Sequence, residues 1–146
     1  MIRIMSFIKN MSFILLLLFF AKNCNSQTIK TIDSISNAFQ KRLDTGVEML
    51  KCTRDFYLQM DSMLNVVYNK LRTKLNTSEK DILKKEQLTW LKKRDVYFKK
   101  ENQKFQQKFD SNEWGSDMYM IIYEEEAEFV KGRTIVLLKR IKEKTP

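Results

Sequence analysis

An all-α fold, an antiparallel helical bundle of three long helices plus a shorter N-terminal helix, follows from three features of this sequence. Its only glycines are Gly46, Gly115 and Gly132, and its only proline is the terminal Pro146, so little interrupts a long helix. Apolar residues recur at spacings of three and four, the period of a helix face. The polar clusters able to turn the chain are short, which makes consecutive helices antiparallel neighbours.

The chain opens with Arg3 and Lys9 ahead of an uncharged run, Met11 to Ala21, rich in Leu and Phe and closed by Lys22 and Asn23. A membrane-spanning helix needs roughly 20 apolar residues, about twice this length, whereas a secretion signal does not. Residues 1–26 are therefore expected to be a signal peptide and residues 27–146 one helical domain, the size that buries a single core. Two processing routes fit. Cys24 and Ser26 place small side chains before Gln27, as a signal peptidase requires, and Cys24 can alternatively carry a lipid, although Asn23 and Lys22 depart from the usual lipoprotein pattern. Either route exports the chain to the periplasm or the exterior.

The first amphipathic helix carries Ile29, Ile32, Ile35, Phe39 and Leu43 and ends near Asp44. The second is expected to start at Thr45, with Glu48 completing a capping box, and to run through Met49, Tyr57, Met60, Leu64, Tyr68, Leu71 and Leu75. After the turn Asn76-Thr77-Ser78, a cap at Thr77 or Ser78 starts a third helix along Ile82, Leu83, Leu91, Phe98, Phe105 and Phe109. Asp110 to Ser116 is a loop. The last helix spans about Asp117 to Lys142, with apolar Met118, Ile121, Ile122, Phe129, Ile135, Val136 and Leu138.

Two patterns stand out on the middle helices. Cys52, Tyr57 and Asp61-x-x-Leu64-Asn65-x-x-Tyr68 lie on the second, and Gln87-x-x-Trp90-x-x-x-Arg94-Asp95 lies on the third. Together, in this order and separated by a polar turn, they resemble the signature of the lysozyme inhibitor LprI-like family; Gly115-Ser116, Ile122-Tyr123 and Arg133-Thr134 extend the resemblance from about Thr45 to the end. Helical spacing gives these residues a structural job first. Asp61, Leu64, Asn65, Tyr68 and Leu71 share one face, and Gln87, Trp90, Leu91, Arg94 and Phe98 share another. Pressed together, they would pair Arg94 with Asp61 or Asp95 and the amide of Asn65 with that of Gln87, and would bury Tyr68 and Trp90. A half-buried Arg needs such a partner, because an unpaired buried charge costs several kcal/mol.

The resemblance also implies disulfides that this chain lacks. Phe98 and Glu126 stand at positions where the family often carries cysteines, which leaves Cys52 without an evident partner and removes a bridge typically contributing about 2–4 kcal/mol.

Catalysis has little to work with. The chain contains no His, the usual general base and commonest metal ligand, and no glycine-rich phosphate loop. No metal or cofactor is implied. Glu124, Glu125, Glu126 and Glu128 crowd one stretch of a single helix, point in different directions, and read as a solvated face. Net charge is +9, or +6 once the signal cations Arg3, Lys9 and Lys22 are set aside. The stripe Lys84, Lys85, Lys92, Lys93, Lys99 and Lys100 lacks the interleaved exposed aromatics of a nucleic-acid surface, so no nucleic acid is expected.

The resemblance implies a non-enzymatic envelope protein with a protein partner, lysozyme, and membrane attachment only through a lipid on Cys24. An inhibitor of that kind plugs a cleft with a rigid protrusion and a central anchor. Here the protrusion is Asn112-Glu113-Trp114-Gly115, and the acidic residues that would face a basic enzyme are Glu124 and Glu125. The competing class is a basic adaptor holding an anionic lipid or polymer along Lys84 to Lys108; a third is a structural module of an envelope assembly.

Overall fold

The computed structural model describes residues 28–144, so the expectations for the signal segment and Cys24 lie outside the described residues. Within them the chain is a helical bundle: α1 (Ile29–Leu43), α2 (Met49–Thr73), α3 (Thr77–Asp110) and α4 (Tyr119–Glu143), the last preceded by a 3₁₀ turn, Ser116–Met118.

Local chemistry sets the boundaries. Thr28 caps α1 in a reciprocal box with Thr31. The start expected at Thr45 is corrected: the Thr45 hydroxyl donates to the Arg42 carbonyl at 2.7 Å instead, and the chain makes a left-handed excursion through Gly46 (φ 69°) and Glu48 (φ 49°) that delays α2 to Met49. Glycine suits the first of these positions; at the second a side chain is strained. The α3 cap is also one residue earlier than expected. Asn76 accepts from the Glu79 amide and Glu79 accepts from the Asn76 amide, both at 3.0 Å, because only Asn76 has a glutamate three residues on.

Successive helices are antiparallel, which leaves α2 and α4 parallel, and these two make the closest approach in the bundle. Their seam explains why. Val67, Ala127, Val130 and Thr134 are fully or almost fully buried, and small or β-branched side chains let backbones come near. Met60, Leu64, Leu71, Leu137, Leu138 and Ile141 complete the layer. Thr134 satisfies its hydroxyl on the Val130 carbonyl at 3.0 Å, so the seam carries no orphan there. α1 closes one side through Ile32 and through Phe39, whose ring stacks on Phe56 at 4.2 Å. Cys52 is a free, buried thiol directed at the Phe39 carbonyl, the ordinary fate of a lone cysteine.

α3 stands outside this seam. About 50 Å long at 1.5 Å per residue, it buries only Leu83 and Phe105 fully. It is held by large rings instead: Trp90 and Tyr97 stack on Phe129 of α4, at 5.7 and 4.6 Å, and Phe98 meets Tyr57 and Phe129 edge-on. Ion pairs Arg140–Glu86 and Lys144–Glu79 fasten its first half to the end of α4. The pairing expected between the α2 and α3 faces is correspondingly revised. Arg94 does bind Asp95 at 2.8 Å and approaches Asp61 at 3.8 Å. The amides do not meet, since α2 packs closest on α4: Asn65 donates to the Asp61 carbonyl of its own helix and Gln87 accepts from Arg133 of α4. Trp90 finds Phe129 rather than Tyr68. On α4, the apolar Ile121 and Val136 are exposed, whereas Ala127, Val130 and Leu137 are buried.

Two substitutions on α4 test this account. Ala127→Leu forces side-chain volume into the seam and is expected to destabilise by about 1–3 kcal/mol. Gly132 faces open space in a helical backbone, so Gly132→Ala is expected to stabilise by about 0.5–1 kcal/mol. Urea unfolding followed by circular dichroism reads both; equal effects of the two would contradict the assigned faces.

Candidate functional site

One end of the bundle gathers the turn between α1 and α2, the start of α2, the end of α3, the following loop and the start of α4. Its surface carries several exposed apolar side chains. Val47 is 63% exposed, and Met49, Leu50, Phe109, Tyr119 and Ile121 are exposed beside it. Asp44, Glu48, Asp110, Glu113 and Asp117 lie among them and are exposed too. Among the described residues, every positive φ, at Gly46, Glu48 and Asn112, also falls at this end. Left-handed non-glycine residues are held only where the surroundings fix them, and they concentrate at functional surfaces.

The loop is built by the helix it follows. Asn112, a residue that tolerates the left-handed region, turns the chain at φ 59°. The amides of Glu113 and Trp114 then both donate to the Lys108 carbonyl, at 2.9 and 3.2 Å, satisfying the open end of α3. Ser111 donates to Glu113 at 3.1 Å. Asn112 therefore shapes the loop, Glu113 is exposed on it, and Trp114 folds back half-buried against Phe105, 6.1 Å between rings, with the Lys108 ammonium 4.5 Å over its indole. The expected protrusion is a fixed, ring-backed edge.

Trp114 and Glu125, eleven residues apart in sequence, line one open cavity of about 310 Å³ with Glu101, Lys104, Lys108 and Ile121. Glu124, Glu125 and Glu128 border the adjoining hollow around Ile121. The structure thus brings the loop and the acidic start of α4 together. The reading of the glutamates as one solvated face is corrected at Glu126, which is buried between α3 and α4. There it accepts from the Asn102 side chain at 3.2 Å, which also donates to the Phe98 carbonyl at 2.9 Å. These contacts lie where the family resemblance would place a bridge between positions 98 and 126. Burial pushes the Glu126 carboxyl above its ordinary value of 4.5, opposed by Asn102 and by the charge of Arg94. Next to it, Tyr97 donates to Glu125 at 2.7 Å; burial first, then that hydrogen bond, push the Tyr97 hydroxyl up to about 12. Glu125 is thereby aimed by a hydrogen bond, while Glu124 has no such tether among the described residues.

Sequence reasoning missed Tyr97, Asn102 and Glu126 as a connected layer, and Val47, Met49, Leu50, Phe109 and Tyr119 as parts of the exposed end. Phe109 and Tyr119 flank the loop closely enough to have been suspected. Helical spacing could have found Glu126, which stands four residues from both Ile122 and Val130 on the buried stripe, unlike the other glutamates.

The other signature residues are spread along the α2–α3 groove. Asp61, Leu64, Asn65, Tyr68, Gln87 and Arg94 all line it, Trp90 packs behind it, and Asp95 is exposed beside it, holding Arg94. Among the described residues no group of three His, Cys, Asp or Glu side chains is placed to hold a metal ion, and no helix is long and apolar enough to cross a membrane.

A helical bundle with an exposed, acid-flanked apolar end is a scaffold for meeting another macromolecule. The family model for "Lysozyme inhibitor LprI" matches residues 37–137, more than half of the chain, and the protein belongs to that family. No curated protein and no solved structure matches it.

Glu126 carries a prediction of pH dependence. Its folded-state value lies above the unfolded one, so the folded protein binds more protons between the two, and stability falls as pH rises through that window. Glu126→Gln, which keeps an acceptor for Asn102, is expected to be more stable than the parent at pH 7. That advantage should vanish below the carboxylate range. Thermal melting from pH 4 to 8 checks it; a difference that does not change with pH would mean that the Glu126 carboxyl titrates alike in the folded and unfolded chain, against the upward shift that burial imposes.

Proposed function

We propose that this protein is exported, works in the periplasm or outside the cell as a non-enzymatic binding protein, and inhibits lysozyme by covering its substrate cleft with the apolar end of the bundle. Family membership supplies the target class. The observation that carries the surface is the convergence of Trp114, Ile121 and Glu125 on one open cavity, on a rigid edge.

An edge of this kind suits a cleft for physical reasons. The loop is anchored by backbone hydrogen bonds, so docking orders little that is not already ordered. Trp114 is a residue type that dominates binding energy when desolvated, and its exposed neighbours Phe109 and Ile121 add apolar area around it. Glu113, Glu124 and Glu125 offer acceptors to a cationic enzyme at close range. Net charge works the other way: a chain at +6 beyond its signal repels a basic enzyme at a distance, so the acids act within a Debye length, about 8 Å at physiological salt.

The test is hydrolysis of peptidoglycan by a c-type lysozyme in the presence of the chain from residue 27 onward. Inhibition at micromolar protein is expected. Trp114→Ala and Ile121→Asp should each weaken it at least tenfold, about 1.4 kcal/mol or more, while Val136→Asp, on the far part of α4, should leave it unchanged. No inhibition at micromolar protein, or equal loss in all three variants, would overturn the proposal.

A further inference from the structure

The α2–α3 groove has unused hydrogen-bonding capacity of a particular kind. Asn65 on one wall gives its amide N–H to the Asp61 carbonyl at 3.1 Å, which leaves its side-chain oxygen as an open acceptor. Gln87 on the opposite wall gives its oxygen to the Nε of Arg133 at 3.0 Å, which leaves its NH₂ as an open donor. The Arg133 charge behind Gln87 polarises that amide toward donation, and the Arg133 Nη2 is itself buried without a hydrogen-bond partner.

Between the two amides the groove, about 270 Å³, has apolar walls from Leu64, Tyr68, Leu88 and Leu91. Leu88 is 51% exposed. The Arg94–Asp61 contact closes one end. Lys84 stands at the other, exposed and in no ion pair among the described residues.

We propose that this groove binds the carboxyl-terminal end of an extended peptide. A peptide bond presents one acceptor and one donor in opposite directions, the complement of an open donor on one wall and an open acceptor on the other. The terminal carboxylate falls at Lys84. Gln87 and Lys84 are one helical turn apart, roughly 4.5 Å along the axis, and an extended chain advances about 3.3–3.6 Å per residue, so the amide held at Gln87 is the last or next-to-last of the peptide. Its apolar side chains lie on Leu64, Leu88 and Leu91. The site is separate from the apolar end of the bundle and does not depend on what that end binds.

The experiment is a titration of the isotopically labelled chain, from residue 27 onward, with N-acetyl tripeptides randomised over Ala, Val and Leu and bearing a free carboxyl group, followed by NMR. The side-chain NH₂ signals of Asn65 and Gln87 are expected to shift and saturate with a Kd near 1 mM or tighter. The same peptides carrying a C-terminal carboxamide should bind at least tenfold more weakly, as should Lys84→Glu, a change at an exposed position. Gln87→Leu should abolish the shifts at Asn65, with its helical spectrum retained. Absence of saturable shifts up to about 10 mM peptide, shifts confined to other surfaces, or equal binding of the carboxamide peptides would overturn the assignment.

Discussion

The parallel seam between α2 and α4 is the contact on which the other positions depend. Val67, Ala127, Val130 and Thr134 are small enough, or flat enough at Cβ, for two helices to approach closely, and close approach maximises dispersion contacts that are individually weak but numerous. Once that pair is made, the connecting helix α3 must run antiparallel to both on the outside. α1, joined to α2 by a tight turn, folds back over the remaining open side, where Phe39 stacks on Phe56.

Because α3 stands off, the space beneath it is filled by large groups. Trp90, Tyr97, Phe98 and Phe129 bridge the gap, and so does a polar layer in which Asn102 links the Phe98 carbonyl to the buried Glu126. A carboxylate there is unfavourable relative to an apolar filler, and the single amide donor plus the Arg94 charge only partly offset its desolvation. The same standoff opens the groove between α2 and α3 and keeps Asn65 and Gln87 from pairing. At the other extreme, where α3 runs past the start of α4, Phe105 and Phe109 have too few helices around them to be wholly covered. Phe105 is sealed by Trp114 and Tyr119, and Phe109 remains exposed.

Charge follows the same architecture. Lys84, Lys85, Lys92, Lys93, Lys99 and Lys100 are on the helix with the most solvent-facing surface, where ammonium groups stay hydrated. The acids of the apolar end sit in turns and around helix ends. A basic chain thus presents an acid-flanked apolar surface at one end, a local character that net charge does not convey.

How much of this was legible beforehand differs by level. Four helices, their order and most of their limits were determined by the sequence, because helical periodicity and the scarcity of Gly and Pro are local properties. So was the family, through the joint spacing of Asp61-x-x-Leu64-Asn65-x-x-Tyr68 and Gln87-x-x-Trp90-x-x-x-Arg94-Asp95, and so was the partner choice of Arg94, whose acidic neighbours were few. Only the tertiary structure decided which helices touch most closely, and with that the partners of Asn65, Gln87 and Trp90, the hydrogen bond that holds the buried Glu126 to Asn102, and the shared cavity of Trp114 and Glu125. The reason is physical. A helix face is written in residues three and four apart, but which face meets which depends on how near two backbones can come, and that is a property of both surfaces together.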